Sequence, residues 1–261
     1  MNRWLMDLIR YRDLLVMLTW RDIRIKYKQS IMGFLWAILM PLFVIAAGVM
    51  VKLAYAHVTK TPLEMAQVLT VSVKALPWAF FISALRFATN SLTTNSNLVT
   101  KIYFPKDIFP ISAVLSQFFD FFIAAVFLAV LLAVAQIGLT VHLLWVPVLI
   151  ALLSLFVTGL GIFLSAANLF FRDVKYLVEV FVTFGVFFTP VFYEAALFGN
   201  WSWIVLLNPV AVILEGLNDS IVLHQTPDLA WVTYTCVITG AVFISAVLVF
   251  KRVEPLFAES I

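Results

Sequence analysis

Long uncharged stretches alternate along this chain with short charged turns, and the stretches set the predicted elements. No charge interrupts Ile31 through Val51, 21 residues. At about 1.5 Å of rise per residue that is enough helix to cross the ~30 Å apolar core of a bilayer. A second apolar stretch, Ala66 to Leu92, carries Lys74, Pro77 and Arg86. Read as a span, it places Lys74 toward the outer face and Arg86 toward the inner, each snorkelling to its interface. A soluble hairpin is the competing reading. The polar run Thr93 to Pro110, closed by two prolines, predicts a loop with a short helix at most. A third span follows over Phe121–Val141, with Asp120 near its inner end. The fourth, Leu143–Phe171, is uncharged for 29 residues, so it tilts or carries an interfacial end. After the charged turn Arg172, Asp173, Lys175 comes a fifth span, Tyr176–Tyr193, with Glu179 in its first turn. Leu229–Phe250 makes a sixth.

Two segments fall outside this count. Residues 1–30 are too charged to span, but Trp4, Leu8, Tyr11, Leu15 and Leu18 recur at helical spacing with Arg3, Arg10, Arg12 and Asp13 off the stripe. That is an amphipathic helix lying in the membrane interface, or packed on a cytoplasmic partner. Residues 195–214 are uncharged, yet Gly199-Asn200 and Asn208-Pro209 break them, the second pair being a favourable helix start. They are expected as two short re-entrant helices on the outer side, within 194–228, rather than a seventh span. The predicted fold is therefore all-α integral membrane, one membrane-spanning domain over 1–261 with six transmembrane helices.

Charge sharpens the topology. With six spans, every Lys and Arg of the 17 falls on the cytoplasmic side except Lys52, Lys60 and Lys74. A seventh span would send Lys251 and Arg252 outside, against the positive-inside bias. Both termini are thus expected in the cytoplasm. The composition, 64% hydrophobic and 12% charged, leaves no room for a soluble globular domain. The net charge of +3 reflects topology and anionic lipid rather than a nucleic-acid partner. One cysteine, Cys236, permits no intrachain disulfide. No cleavable signal is expected, because 30 charged and amphipathic residues precede the first apolar run.

Catalytic motifs are missing from the pattern. There is no G-x-x-x-x-G-K-[ST] phosphate loop, no H-E-x-x-H and no Cys/His cluster for a metal. His57, His142 and His224 fall at predicted outer ends, far apart. Asp120 and Glu179 could mark an ion path, but their place near the inner ends of spans favours helix-end hydrogen bonds or pairing with Arg86 or Arg172. On the fifth span Phe181, Phe184, Phe188 and Phe192 share one helical face, with Tyr193 beside them; Phe34, Trp36 and Phe43 add aromatics on the first. Such faces serve lipid contact or packing, or else line a path over which the apolar faces of sugar rings slide.

Several segments together resemble the permease subunit of type-2 ABC exporters, closest to the branch that moves O-antigen, capsule and teichoic acid. They are TWRDIRIKYKQSIMGFLWAILMPL from Thr19, NSNLVTKIYFPKDIFPI from Asn95, NLFFRDVKYLVEVF from Asn168 with TPVFY from Thr189, and LLNPV from Leu206. They cover nearly the whole chain in order. The resemblance implies a homodimer of six-span subunits in the bacterial inner membrane, with no ATPase of its own. Two copies of a separate ABC ATPase would bind ATP and Mg, and this chain needs no cofactor. The resemblance further implies that the loop after the second span is a coupling helix that docks on the ATPase. It maps to Asn95, Asn97, Leu98, Lys101, Ile102, Tyr103, Pro105 and Lys106, with Arg172 and Asp173 in the second cytoplasmic turn. A translocation channel is expected along the first and fifth spans.

The expected activity is export of a lipid-linked polysaccharide. Arg21, Arg24, Lys26 and Lys28, just before the first span, would either attract a diphosphate headgroup or simply set topology. The alternatives are a permease of similar build for a drug or small lipid-linked molecule, or, from another class, a secondary transporter or a membrane scaffold. A secondary transporter should show internal repeats and midplane charges, and no convincing repeat is present.

Overall fold

The computed structural model describes residues 2–28, 35–60, 64–101, 104–138 and 140–259, and every regular element among them is helical. The expected interfacial helix is two helices, α1 (Asn2–Arg10) and α2 (Arg12–Tyr27), separated at Tyr11, whose backbone leaves helical geometry. The long helices are α3 (Leu35–Thr59), α4 (Met65–Thr94), α6 (Ile108–Val134), α7 (Trp145–Phe170) and α11 (Leu229–Val253). The shorter ones are α5 (Ser96–Lys101), α8 (Val174–Phe188), α9 (Ser202–Leu206) and α10 (Pro209–Ile221). Among the described residues, five helical stretches are long and apolar enough to cross a membrane: Ile38–Val58, Met65–Thr94, Ile108–Val134, Val141–Phe170 and Leu229–Phe257.

The centre of the molecule is its least apolar long helix. α4 has a mean hydropathy of 1.7 against 2.1 to 2.5 for the other four, yet 78% of its apolar window is buried. In a membrane the ordering follows naturally: lipid tolerates only apolar surface, so polar side chains must be satisfied inside the protein. α4 packs on α6 and α7 along most of its length and also meets α3, α8 and α10. Lys74, expected to snorkel, is instead wholly buried. Between α7 and α11 the backbones nearly touch; a Cβ on Gly159 would lie 3.0 Å from the Phe243 Cα. Small residues are what let membrane helices approach this closely.

Three expectations need correction. α6 begins at Ile108, 13 residues before the expected third span. Asp107 stands at its N-cap position and Pro110 in its first turn, where the missing N–H costs nothing. A proline read as closing a loop in fact sits in a helix start. Asp120 therefore lies near the middle of α6, not at an end. Second, α8 stops at Phe188, five residues short of the expected end, because Pro190 pushes Thr189 to extended backbone (φ −119°, ψ 134°). Its 15 residues give about 22 Å of helix. Third, the stripe Trp4, Leu8, Tyr11, Leu15 and Leu18 is occupied by the chain's own core; it packs with Val99, Phe109, Phe250 and Phe257. The breaks at Gly199, which has φ +51°, and at Asn208 fall where expected, with α9 and α10 between and after them. The Asn208 side chain accepts the Val210 N–H at 3.0 Å, capping α10.

Candidate functional site

Where α2 ends, its last turn leans on the middle of α6. Trp4 donates its indole N–H to Asp107 at the start of α6, and Lys26 reaches Asp120. α2 packs along α6, and the break at Tyr11 lets about 33 Å of helix in α1–α2 join contacts about 20 Å apart on α6. Asp120 receives two groups there, the Lys26 ammonium and the Tyr27 hydroxyl, while Lys26 also donates to Gln117 at 3.2 Å. The Tyr27 hydroxyl is held well above the usual phenol range, by burial first and then by the Asp120 carboxylate it donates to. On the neighbouring wall Arg86 of α4 pairs with Glu179 of α8 at 2.8 Å. Lys26, Tyr27, Arg86, Gln117 and Asp120 form the polar end of a cavity of about 490 Å³ between α2, α3, α4 and α6. Its other walls are apolar: Trp36, Met40 and Val44 of α3, Leu76 and Phe80 of α4, Phe121 and Ala124 of α6. Such a cavity suits a ligand with a polar head and an apolar tail.

The four basic residues expected at a headgroup site do not converge. Only Lys26 lines the cavity. Arg21 turns away, its guanidinium bonded to Asp22 at 2.8 Å and to Asn95 at 2.9 Å. Arg24 lies over the Trp20 ring, and Lys28 is exposed beyond the end of α2. Arg86, not expected at such a site, supplies the cavity's second cation. Of the carboxylates, Glu179 pairs with Arg86 as its position suggested, whereas Asp120 pairs with Lys26.

The aromatic stripe divides at the end of α8. Phe181, Phe184 and Phe188 are exposed along one face, while Val178, Val182 and Gly185 bury the other. Phe192 lies in the bend after α8 and turns inward, half-buried against the core, with Tyr193. Phe43 is exposed on α3, Trp36 lines the cavity, and Phe34 lies outside the described residues.

At the foot of α4, Asn95 caps the helix and links it to Arg21, and α5 follows at once. Val99 anchors α5 in the core at 3% exposure, Leu98 is half-buried, and Asn97 and Lys101 face outward. Ile102 and Tyr103 lie outside the described residues. Pro105 and Lys106 are partly buried, and the Lys106 N–H donates to Glu254 at 2.7 Å. Burial lowers the Lys106 ammonium pKa, with Glu254 opposing. The neighbouring Asp107 carboxyl is raised by burial, against the pull of Lys251 and Trp4. Arg172 and Asp173 are exposed in the turn between α7 and α8, near α5 across a polar cleft lined by Asn90, Thr93, Asn168 and Lys175. Two carboxylate partners were missed from sequence: Glu254, and Glu215 of α10, which pairs with the buried Lys74 at 2.8 Å and accepts the Ala195 N–H after the bend that follows α8. The signal for Glu215 was available: a lysine inside an apolar stretch requires an anion, and Glu215 is the first charge after the uncharged run from Ala195.

Helices that bury their polar side chains inward, an amphipathic cavity and an anchored surface helix define a multi-span membrane protein of transport type. The chain belongs to the ABC-2 type transporter family, whose model matches residues 13–222. Among its curated relatives, the "O-antigen export system permease protein RfbA" of Myxococcus xanthus is 26% identical over the whole of both chains. A protein of the same name from Klebsiella pneumoniae is 28% identical, covering 95% of this chain and 94% of its own.

Proposed function

We propose that this chain is the transmembrane subunit of an ATP-driven exporter that carries a lipid-linked, O-antigen-like polysaccharide across the bacterial inner membrane. The observation that carries this reading is end-to-end similarity to two O-antigen export permeases, with no part of either left unmatched beyond a few percent. The chain is not itself the enzyme. ATP and Mg bind to a separate ABC ATPase, two copies of which dock on a homodimer of this permease. In this arrangement α5 and the Arg172–Asp173 turn face the cytoplasm and the ATPase, and α1, α2 and both termini lie on that side. α8 and the bend after it complete a sixth crossing, and α9 and α10 dip into the outer leaflet without crossing it.

Within the dimer, the exposed faces of α3 and α8 line the path. Phe181, Phe184 and Phe188 offer sugar rings contact area with few directional hydrogen bonds, which suits a polymer that must keep moving. The amphipathic cavity takes the lipid-linked end of the substrate, its apolar walls against the polyprenyl chain and Lys26 and Arg86 toward the phosphates. Arg21 and Arg24 do not share in this; Arg21 positions the coupling segment through Asn95. Expression in a strain lacking its own O-antigen permease, together with the cognate ATPase, tests the reading. Surface display of the polymer is expected with both subunits and with neither alone. Display that persists without the ATPase would refute it.

A further inference from the structure

Two cavities meet at the C-terminal end of α11, and neither shares a residue with the cavity beside α2. The first is an apolar groove of about 290 Å³ between α1 and α11. Trp4 and Phe243 close its inner side with their rings edge to face, 5.6 Å apart, and Val247 lies beside them. Ile244 and Leu248, one turn apart and exposed, form its outer lip. The second cavity, about 710 Å³, is bordered by α1, α5 and the short helix Glu254–Glu259 that follows α11. Asp7 and Lys251 line both, so one recess runs from apolar wall to charge. Ligand sites commonly have volumes of roughly 300–1,000 Å³.

Charge in the second cavity does not balance. Arg10, Lys101, Lys106 and Lys251 face Asp7 and Glu254 there. Glu254 is committed, one oxygen accepting the Lys106 N–H at 2.7 Å and the other the Lys251 ammonium at 3.0 Å. Asp107 holds the same ammonium at 3.5 Å. Among the described residues, no carboxylate pairs with Arg10 or Lys101. Both are exposed, one on α1 and the other on α5. A surplus of cations beside an apolar groove suits an anion that carries a hydrocarbon chain. A zwitterionic head would leave the surplus as it is, because its own ammonium cancels its phosphate.

α1 adds a second observation. Trp4 and Leu8 pack on the chain's own core, yet Met6 and Ile9 are exposed. A helix with apolar side chains on a face its protein leaves open, and with Arg10 at its end, rests in the boundary between lipid heads and acyl chains. The groove beside it then opens to lipid.

We infer that this recess binds one anionic glycerophospholipid, its phosphate among Arg10, Lys101 and Lys251 and one acyl chain in the groove along α11. Asp7 accepts hydrogen bonds from the hydroxyls of a glycerol head. The lipid bridges α1, α5 and α11. Its site rests on the membrane-spanning reading alone, whereas any effect on export rests on the exporter reading.

Photo-labelling tests the inference. Phosphatidylglycerol with a diazirine at the end of one acyl chain is added to phosphatidylethanolamine proteoliposomes holding the full chain. Label is expected on the peptide containing residues 243–248, and the same diazirine on phosphatidylethanolamine should label it about tenfold less. Arg10→Gln and Lys101→Gln should each lower the phosphatidylglycerol label roughly fivefold. Ile244→Trp, which fills the lipid-facing lip, should lower it as well. Label on other lipid-exposed peptides should match the wild type, showing that these surface variants fold and insert. Labelling of 243–248 that ignores head charge, or that stays at the wild-type level in R10Q/K101Q, would overturn the inference. Label that persists when the ATPase is added supports the lipid. Label abolished by the ATPase would give the polar cavity to that protein and overturn the lipid site. ATP-dependent polymer export is measured on the same vesicles; no export by the wild type with the labelling pattern intact would sink the exporter reading and leave the lipid site standing.

Discussion

Asp120 shows how a single carboxylate in an apolar helix is kept. Lys26 and Tyr27 reach it from α2, and through them the end of the amphipathic pair is tied to the middle of α6. Asp120→Ala strands a lysine that is about one-third exposed, so the expected loss is about 1–2 kcal/mol, read as a lower unfolding temperature in detergent. Asp219 of α10 makes a prediction of a different kind. Its carboxyl is pushed up to about 6 by burial first and by Glu215 second, with Lys74 opposing. The fold therefore holds this proton more tightly than the unfolded chain does. The stabilisation is complete below the ordinary value of 3.8 and is lost as pH rises through about 6. Asp219→Asn should raise the unfolding temperature by a few degrees at pH 8 and leave it unchanged near pH 4. An equal shift at both pH values would contradict the assignment.

At the scale of the element, α8 separates packing from exposure on its two faces. Val178 and Val182 are buried, whereas Phe181, Phe184 and Phe188 touch little of their own chain. Truncating Val182 to Ala should destabilise the protein by about 1–2 kcal/mol. Replacing the three phenylalanines with Ala should leave stability nearly unchanged and cut polymer export sharply; unaltered export would assign that face to lipid. This helix also marks where sequence reading reached its limit. The period of the phenylalanines was legible and placed three of the four correctly on one face. The position of Phe192 was not, because Pro190 ends the helix locally and the bend then answers to Lys74 and Glu215, which are distant in sequence. α6 failed in the other direction. Asp107 and Pro110 are as compatible with a helix start as with a loop, and only packing against Trp4, Phe104 and Phe257 decides between them.

For the molecule as a whole, the apolar stretches, the order of helices and the family were legible from one sequence, since hydropathy and length dominate what a bilayer accepts. What the bilayer does not dictate was not legible: which basic residue faces which carboxylate. The cluster Arg21, Arg24, Lys26 and Lys28 looked like one site and is divided among a contact with Asn95, an aromatic ring, a cavity and the exposed end of α2. That division carries a prediction about coupling. Arg21 and Asn95 join the amphipathic pair to the start of α5, so Arg21→Ala should leave ATPase binding intact while lowering polymer exported per ATP hydrolysed. A proportional fall in hydrolysis and export would place Arg21 outside the coupling path.

The central claim is that this chain forms an export path driven by a separate ATPase. It is tested most directly in proteoliposomes holding the purified permease, the cognate ATPase and a lipid-linked polysaccharide, by measuring how much polymer becomes accessible on the far side. Translocation is expected with ATP, and none with a non-hydrolysable analogue or with either protein omitted. Translocation without the ATPase, or none with the complete system, would contradict the account.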